Sequence, residues 1–301
     1  MPVPVAREWT VPDPNSVCPV RLEDGAVVVV RRHGNPAGPR LVLSHANGLA
    51  IDLYYPFWSL LEDDFDLMVS DLRNHGWNSV GTREQHNIPV MIRDHDSVLG
   101  SIAGRYGEKP TIGVYHSISA LITLFSRGTH LRARVLFDPP VCKPGKDQIE
   151  FDAAVMRNAA MTRNRAERFE RREDLAEVLR YMPTFTHVVP GVRELMALTT
   201  LRESGDGQGF ELRCPREFEA QIMDYVRSFS PLVDFAEVSG PIKVVGADPT
   251  VPYAYLPAFD LSDLMTVDYD FIPDSTHLLQ LEDPERCVAA IRPFLERHAG
   301  T

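Results

Sequence analysis

Short β-branched runs alternate with longer segments of helical period along the first half of the chain. Residues 26–31 (AVVVVR), 40–44 (RLVLS), 66–70 (DLMVS), 110–115 (PTIGVY) and 133–137 (ARVLF) read as strands. Between them, apolar residues recur at helical spacing over 51–61, 88–106 and 119–125; in 88–106 the apolar members are Val90, Ile92, Val98, Leu99 and Ile102. Strands this short and continuously apolar have both faces covered, so the alternation predicts a mostly parallel sheet flanked by helices. The rhythm breaks after Val141. From there to Gly240 the pattern is helical and charged, with no run that reads as a strand. Leu175, Val178, Leu179 and Met182 fall on one helix face, and RNRAERFERR (163–172) reads as a solvated helix face rather than a recognition patch. The first rhythm then resumes with strands at 242–245 and 266–272 and a closing amphipathic helix at 284–298. The expected organisation is an α/β core, residues 1–141 and 240–301, interrupted by a helical cap or lid at 142–239.

Composition narrows the class. Apolar residues make up 44% and charged residues 24% of 301, ordinary globular usage. A formal net charge of −11 argues against whole-surface attraction to nucleic acid or anionic membrane. No apolar stretch approaches the ~20 residues of a membrane span. Cys18, Cys142, Cys214 and Cys287 are scattered, which excludes a C-x-x-C zinc or redox motif and suits a reducing compartment. With no basic-then-apolar leader at the start, the expectation is a cytoplasmic protein. Oligomeric state stays open, a homodimer through the cap included.

The candidate chemistry lies where strands end. The 110–115 strand runs into His116-Ser117-Ile118-Ser119 and an apolar helix. A serine on such a turn is either a nucleophile, its Oγ raised above the sheet edge near helix N–H groups, or an ordinary helix N-cap. Loops with polar residues also follow the other strands: SHANG (44–48), DLRNHGWNS (71–79), GADPTVP (246–252) and THLLQLEDPE (276–285). Three constellations are discounted. Asp94-His95-Asp96 would point its side chains about 100° apart on a helix and so holds no metal. Arg32-His33-Gly34-Asn35 reads as a turn, and Gly205–Gly209 (GDGQG) as a flexible loop rather than a phosphate loop. The aromatic cluster Tyr54, Tyr55, Phe57, Trp58 reads as core packing, and His45 as a structural loop histidine.

Taken in order, these pieces resemble the α/β-hydrolase fold family, over about residues 26–298. SHANG resembles its HG-type oxyanion loop, DLRNHGWNS its D-x-R-G-H-G-x-S segment, YHSIS its G-x-S-x-G elbow, GADPTVP its acid loop and THLLQLEDPE its histidine loop. The resemblance implies Ser117 as nucleophile, His277 as general base and Asp248 as the acid that fixes the His277 tautomer. Asp138, at the end of the strand after the elbow helix, is the alternative acid, since some members carry theirs there. The oxyanion hole would be the backbone N–H groups of Ile118 and Asn47, with Ala46 where the family has glycine. Tyr115 and Ser119 replace the two elbow glycines, so the Tyr115 side chain must point away from the turn. A serine at 117 argues against epoxide hydrolases and haloalkane dehalogenases, which use an aspartate there. The implied function is a serine hydrolase, without cofactor or metal, acting on a small or medium apolar ester or lactone. Alternatives on the same scaffold are a meta-cleavage-type C–C hydrolase, a non-hydrolytic ligand-binding receptor, and a cofactor-free lyase or oxygenase.

Overall fold

In the computed structural model, which describes residues 8–251 and 257–300, the first part of the chain supplies six strands. They are β1 (Ser16–Arg21), β2 (Val27–Gly34), β3 (Arg40–Ser44), β4 (Asp66–Ser70), β5 (Thr111–His116) and β6 (Ala133–Phe137). The helices among them are α1 (Tyr55–Trp58), which continues a 3₁₀ turn at Ile51–Tyr54, then α2 (Ile88–Tyr106) and α3 (Ile118–Leu124). Every residue of β3, β4, β5 and β6 is buried, which is why these runs lack polar alternation. The α2 helix starts where Asn87 accepts the Val90 N–H with Pro89 in the first turn, and stops at Gly107, φ +82°.

The inserted segment follows β6. It contains α4 (Lys146–Asn164), β7 (Arg168–Phe169), α5 (Arg172–Arg180), α6 (Val192–Thr200), β8 (Leu201–Glu203), β9 (Phe210–Leu212) and α7 (Arg216–Phe229). Its three strands pair antiparallel in the order β7-β9-β8, which corrects the expectation of helices alone. Two or three residues each, they are too short to leave a periodic signal, and GDGQG is the turn joining β8 to β9. The charged 163–172 run is likewise no single helix face. The α4 helix ends at Asn164, Arg165 pairs with Glu219 of α7, and β7 follows. On α5, Leu175 and Leu179 are buried, but Val178 and Met182 are exposed.

The chain then returns through β10 (Ile242–Gly246), α8 (Leu261–Leu264), β11 (Val267–Phe271), α9 (Leu279–Glu282) and α10 (Pro284–Ala299). The main sheet has eight strands in the order β1-β2-β4-β3-β5-β6-β10-β11, parallel except that β2 runs against its two neighbours. The strand β1 is absent from the sequence-based reading, because SVCPVR carries a proline and alternates. The reading of 32–35 as a turn also fails, since β2 continues to Gly34. The inserted segment docks on loops at the C-terminal ends of the strands: Arg213 donates to Gly76 O at 2.7 Å, Gln221 to His86 O at 2.8 Å, and Ser230 Oγ to Pro140 O.

Candidate active site

Ser117 stands between β5 and α3 with φ +53° and ψ −117°, a conformation that costs a non-glycine residue of order 1–3 kcal/mol and persists only when its surroundings fix it. Several bonds fix it here. The Ser117 N–H donates to Phe137 O at 3.0 Å, tying the turn to the end of β6. The Ser119 hydroxyl accepts from His116 N at 3.0 Å and donates to His116 O at 2.9 Å, so the serine that replaces the second elbow glycine clamps the turn. Tyr115 replaces the first glycine and points away from the turn, as required. Its ring lies over Gly113, where a Cβ would overlap it, and meets the edge of His95 with centroids 5.1 Å apart. The glycine two residues earlier thus makes room for the tyrosine.

His277 follows β11 and lies beside Ser117. Its Nε2 is 3.0 Å from Ser117 Oγ, and its Nδ1 is 2.5 Å from Asp138 Oδ2. An ionised Asp138 only accepts, so the Nδ1–H donates to it and Nε2 is left to accept from the serine hydroxyl. Asp138 is fully buried, and its other oxygen accepts from Ala247 N at 3.2 Å. Burial pushes its carboxyl above the ordinary value, against the opposing pull of His277 and of the Ala247 N–H.

Asp248, the acid first expected, is elsewhere. Its Oδ1 accepts from Thr250 N at 2.8 Å and Thr250 Oγ1 at 2.7 Å, and its Oδ2 accepts from Asp274 N at 2.8 Å. The Asp248 N–H donates to Ser275 O at 3.0 Å. These bonds to Asp274 and Thr250 hold its carboxyl below the ordinary range. Asp248 therefore ties the β10 loop to the loop that carries His277, and Asp138 alone of the two meets the imidazole. Pro252 of the expected acid loop lies outside the described residues.

The two residues expected to form the oxyanion hole, Ile118 and Asn47, lie in separate segments. Ile118 is the first residue of α3, where a backbone N–H has no partner within the helix. Asn47 lies in the loop after β3, and its Nδ2 donates to Glu219 O at 2.8 Å. On either side of it, Ala46 N donates to Tyr54 Oη at 3.2 Å and Gly48 N to His75 Nε2 at 3.1 Å.

A scan of family models matches residues 27–290 to the alpha/beta hydrolase family. The chain belongs to that family. Solved structures similar to this α/β hydrolase include E-2-(acetamidomethylene)succinate hydrolase, with TM-score 0.73 and 17% identity over 93% of this chain and 99% of that one. A thioesterase domain from the curacin biosynthetic pathway has TM-score 0.68 and 14% identity, covering 93% and 100%. A thermophilic esterase from Thermogutta terrifontis has TM-score 0.64 and 19% identity, covering 95% and 100%. At these identities the likeness is one of fold. No curated protein matches the sequence.

Around the site, this α/β hydrolase buries an ion-pair framework. Asp71 accepts from Ile51 N at 2.8 Å and Trp77 N at 3.1 Å and pairs with buried Arg31 at 2.8 Å, organising the DLRNHGWNS loop. Gly76 is required there because a Cβ would overlap the Asp71 carboxylate. Arg73 holds Asp94 at 2.5 Å and Asp24 at 2.9 Å, and Asp96 takes the Ser126 hydroxyl, so the 94–96 acids face separate partners. His45 donates to Ala46 O at 2.7 Å and accepts from Leu72 N at 3.0 Å, a loop histidine as read. His116 and Tyr54 were not singled out as site residues; nothing but adjacence to Ser117 and to the SHANG loop could have flagged them. Among the described residues, no helix is long and apolar enough to cross a membrane. All four cysteines are free and buried.

Proposed function

We propose that this chain is a serine hydrolase working through an acyl-enzyme, with Ser117 as nucleophile, His277 as general base and acid, and Asp138 as the acid behind it. The observation that carries this reading is the histidine bonded on both sides, to Ser117 at 3.0 Å and to Asp138 at 2.5 Å. Ser117 Oγ attacks the substrate carbonyl while its proton passes to His277 Nε2, and Asp138 stabilises the imidazolium. The negative oxygen that forms is received by the N–H groups of Ile118 and Asn47. His277 then hands its proton to the leaving group. Water, deprotonated in turn by His277, releases the acid and restores Ser117.

The substrate class is an activated acyl compound, a carboxylic ester, lactone or thioester, with a small or medium apolar acyl group. Residues 142–239 are the cap of this site. Their bonds to the loops bearing Asn47, Gly76, His86 and Pro140 support that role, since those loops surround the strand ends where Ser117 stands. The test is intact-mass labelling with a fluorophosphonate, alongside hydrolysis of p-nitrophenyl acetate, on wild type and Ser117→Ala. One label per wild-type chain and none on Ser117→Ala is the expected result. Turnover that survives Ser117→Ala refutes the reading.

A further inference from the structure

One hydrogen-bonded line joins the three loops on which the proposed reaction depends, reaching His277 through its backbone oxygen. It begins in the SHANG loop, where Ala46 N–H donates to Tyr54 Oη at 3.2 Å. Tyr54 Oη lies 2.6 Å from His116 Nδ1. His116 Nε2 lies 2.8 Å from the backbone oxygen of His277. Tyr54 and His116 are each 1% exposed, so solvent offers no alternative partners.

The direction of every bond in this line can be assigned. A carbonyl oxygen only accepts, so His116 Nε2 carries a hydrogen and donates it to His277 O. Burial, with His277 adjacent, drives the His116 imidazole well below its ordinary value, which makes it neutral. A neutral imidazole with its hydrogen on Nε2 has a lone pair on Nδ1, and that lone pair accepts the Tyr54 hydroxyl hydrogen. The tyrosine oxygen is then free to accept from Ala46 N. Each bond in the line then has one donor and one acceptor, and each group is satisfied. The imidazole of His116 also packs against that of His277, with ring centroids 4.8 Å apart and planes 43° from parallel.

We propose that Tyr54 and His116 are positioning residues. They form a strut that holds the oxyanion loop at Ala46, the turn at Ser117 and the backbone of His277 in one register. The inference rests on the serine-hydrolase reading. At one end, fixing the Ala46 peptide aims the next N–H, that of Asn47. At the other end, fixing the His277 carbonyl sets the origin from which its imidazole reaches both Ser117 and Asp138. His116 adds the constraint that its ring, in contact with His277, stays uncharged when His277 takes the serine proton. A second cation there would oppose that step.

The test uses the full chain and four variants: Tyr54→Phe, His116→Ala, His116→Gln and Ser117→Ala. Turnover of p-nitrophenyl acetate, the rate of fluorophosphonate labelling of Ser117 and the melting temperature are read for each. Tyr54→Phe deletes one oxygen from a packed ring and keeps the fold, with a lower melting temperature because the Ala46 N–H and His116 Nδ1 lose their partner. It lowers kcat and the labelling rate by roughly tenfold to a hundredfold, somewhat less than loss of an oxyanion donor itself, with KM within about twofold. His116→Ala is impaired at least as much. His116→Gln can present an amide N–H to the same His277 carbonyl and recovers most of the kcat lost in His116→Ala. Wild-type labelling and turnover in Tyr54→Phe would overturn the proposal. So would a His116→Gln variant that regains the melting temperature but no kcat, because that is the behaviour of a merely structural histidine. A wild-type chain that neither labels nor turns over, or a Ser117→Ala that still turns over, removes the serine-hydrolase reading and this inference with it. A labelled wild type with an undiminished Tyr54→Phe removes this inference alone.

Discussion

Replacing Asp138 by asparagine separates the two candidate acids more sharply than any deletion, because the shape is kept and only the proton bookkeeping changes. In the wild type, Asp138 Oδ1 accepts from Ala247 N at 3.2 Å and Oδ2 accepts from His277 Nδ1 at 2.5 Å. An asparagine that keeps the Ala247 bond with its oxygen turns its NH₂ toward His277. That NH₂ donates, so His277 Nδ1 must accept and its hydrogen moves to Nε2, the nitrogen 3.0 Å from Ser117 Oγ. The base then has no lone pair for the serine proton. A wrong tautomer in such a triad lowers kcat by about 10⁴-fold, or about 5 kcal/mol of barrier at 1.36 kcal/mol per tenfold. The fold should not suffer, because a buried carboxylate gives way to a neutral group of equal size. Asp248→Asn has the opposite signature. One of the three N–H and O–H donors that converge on Asp248 meets an NH₂ instead of an oxygen. The loop carrying His277 loosens and the melting temperature falls, while kcat in the folded fraction stays within about tenfold of wild type. The assay is kcat/KM for p-nitrophenyl acetate with melting curves on both variants. An Asp138→Asn enzyme within tenfold of wild type, or an Asp248→Asn enzyme that is stable and dead, would refute the assignment.

Two further outcomes follow from buried groups away from the triad. Tyr115→Gly restores the usual family residue in the elbow yet should destabilise by about 3–5 kcal/mol, the cost of emptying a buried aromatic site, and should not raise kcat. Tyr115→Phe should be near neutral in urea unfolding, since the Tyr115 hydroxyl has no hydrogen-bond partner among the described residues. The second outcome concerns acid. Burial lowers His86 and His95 to about 3 from an ordinary 6.5, so both stay neutral in the folded chain while the unfolded chain takes up protons. Stability is therefore undiminished above pH 6.5 and is lost as pH falls from there toward 3, each histidine costing about 2 kcal/mol by pH 5. Urea midpoints that stay level between pH 7.5 and 5 would contradict this.

The sheet was largely legible because its strands are buried on both faces, and a continuous apolar run with polar punctuation has few other uses. The turn at Ser117 was legible for a related reason: a strand, a serine and an apolar helix in sequence can be joined only by a sharp bend. The inserted strands were not legible. Residues 168–169 and 201–203 are too few for a period, and their pairing depends on β9, some forty residues from the first of them. The Tyr54–His116 line was hidden as well. Tyr54 belongs by pattern to an aromatic core cluster, and it is in the core; only the position of its hydroxyl gives it a second task.

The partner of His277 is the instructive difference between expectation and structure. In the chain, GADPTVP and THLLQLEDPE lie close together after consecutive strands, so an acid at 248 and a histidine at 277 look like natural partners. In space they are natural neighbours too, and Asp248 does bond the histidine loop, but through the backbone at Asp274 and Ser275. What decides the partner is the order of strands across the sheet. The strand β6 lies directly beside β5, whereas β10 is one strand further from the serine. A carboxylate at the end of β6 is thus placed next to Ser117, with the histidine loop arching over from β11 to reach both. Phe137 makes the adjacency concrete: its carbonyl takes the Ser117 N–H at 3.0 Å, and the next residue in the chain is Asp138. The Ser117 turn and Asp138 are therefore held by one peptide, which leaves Asp248 to brace the loop that brings His277 between them.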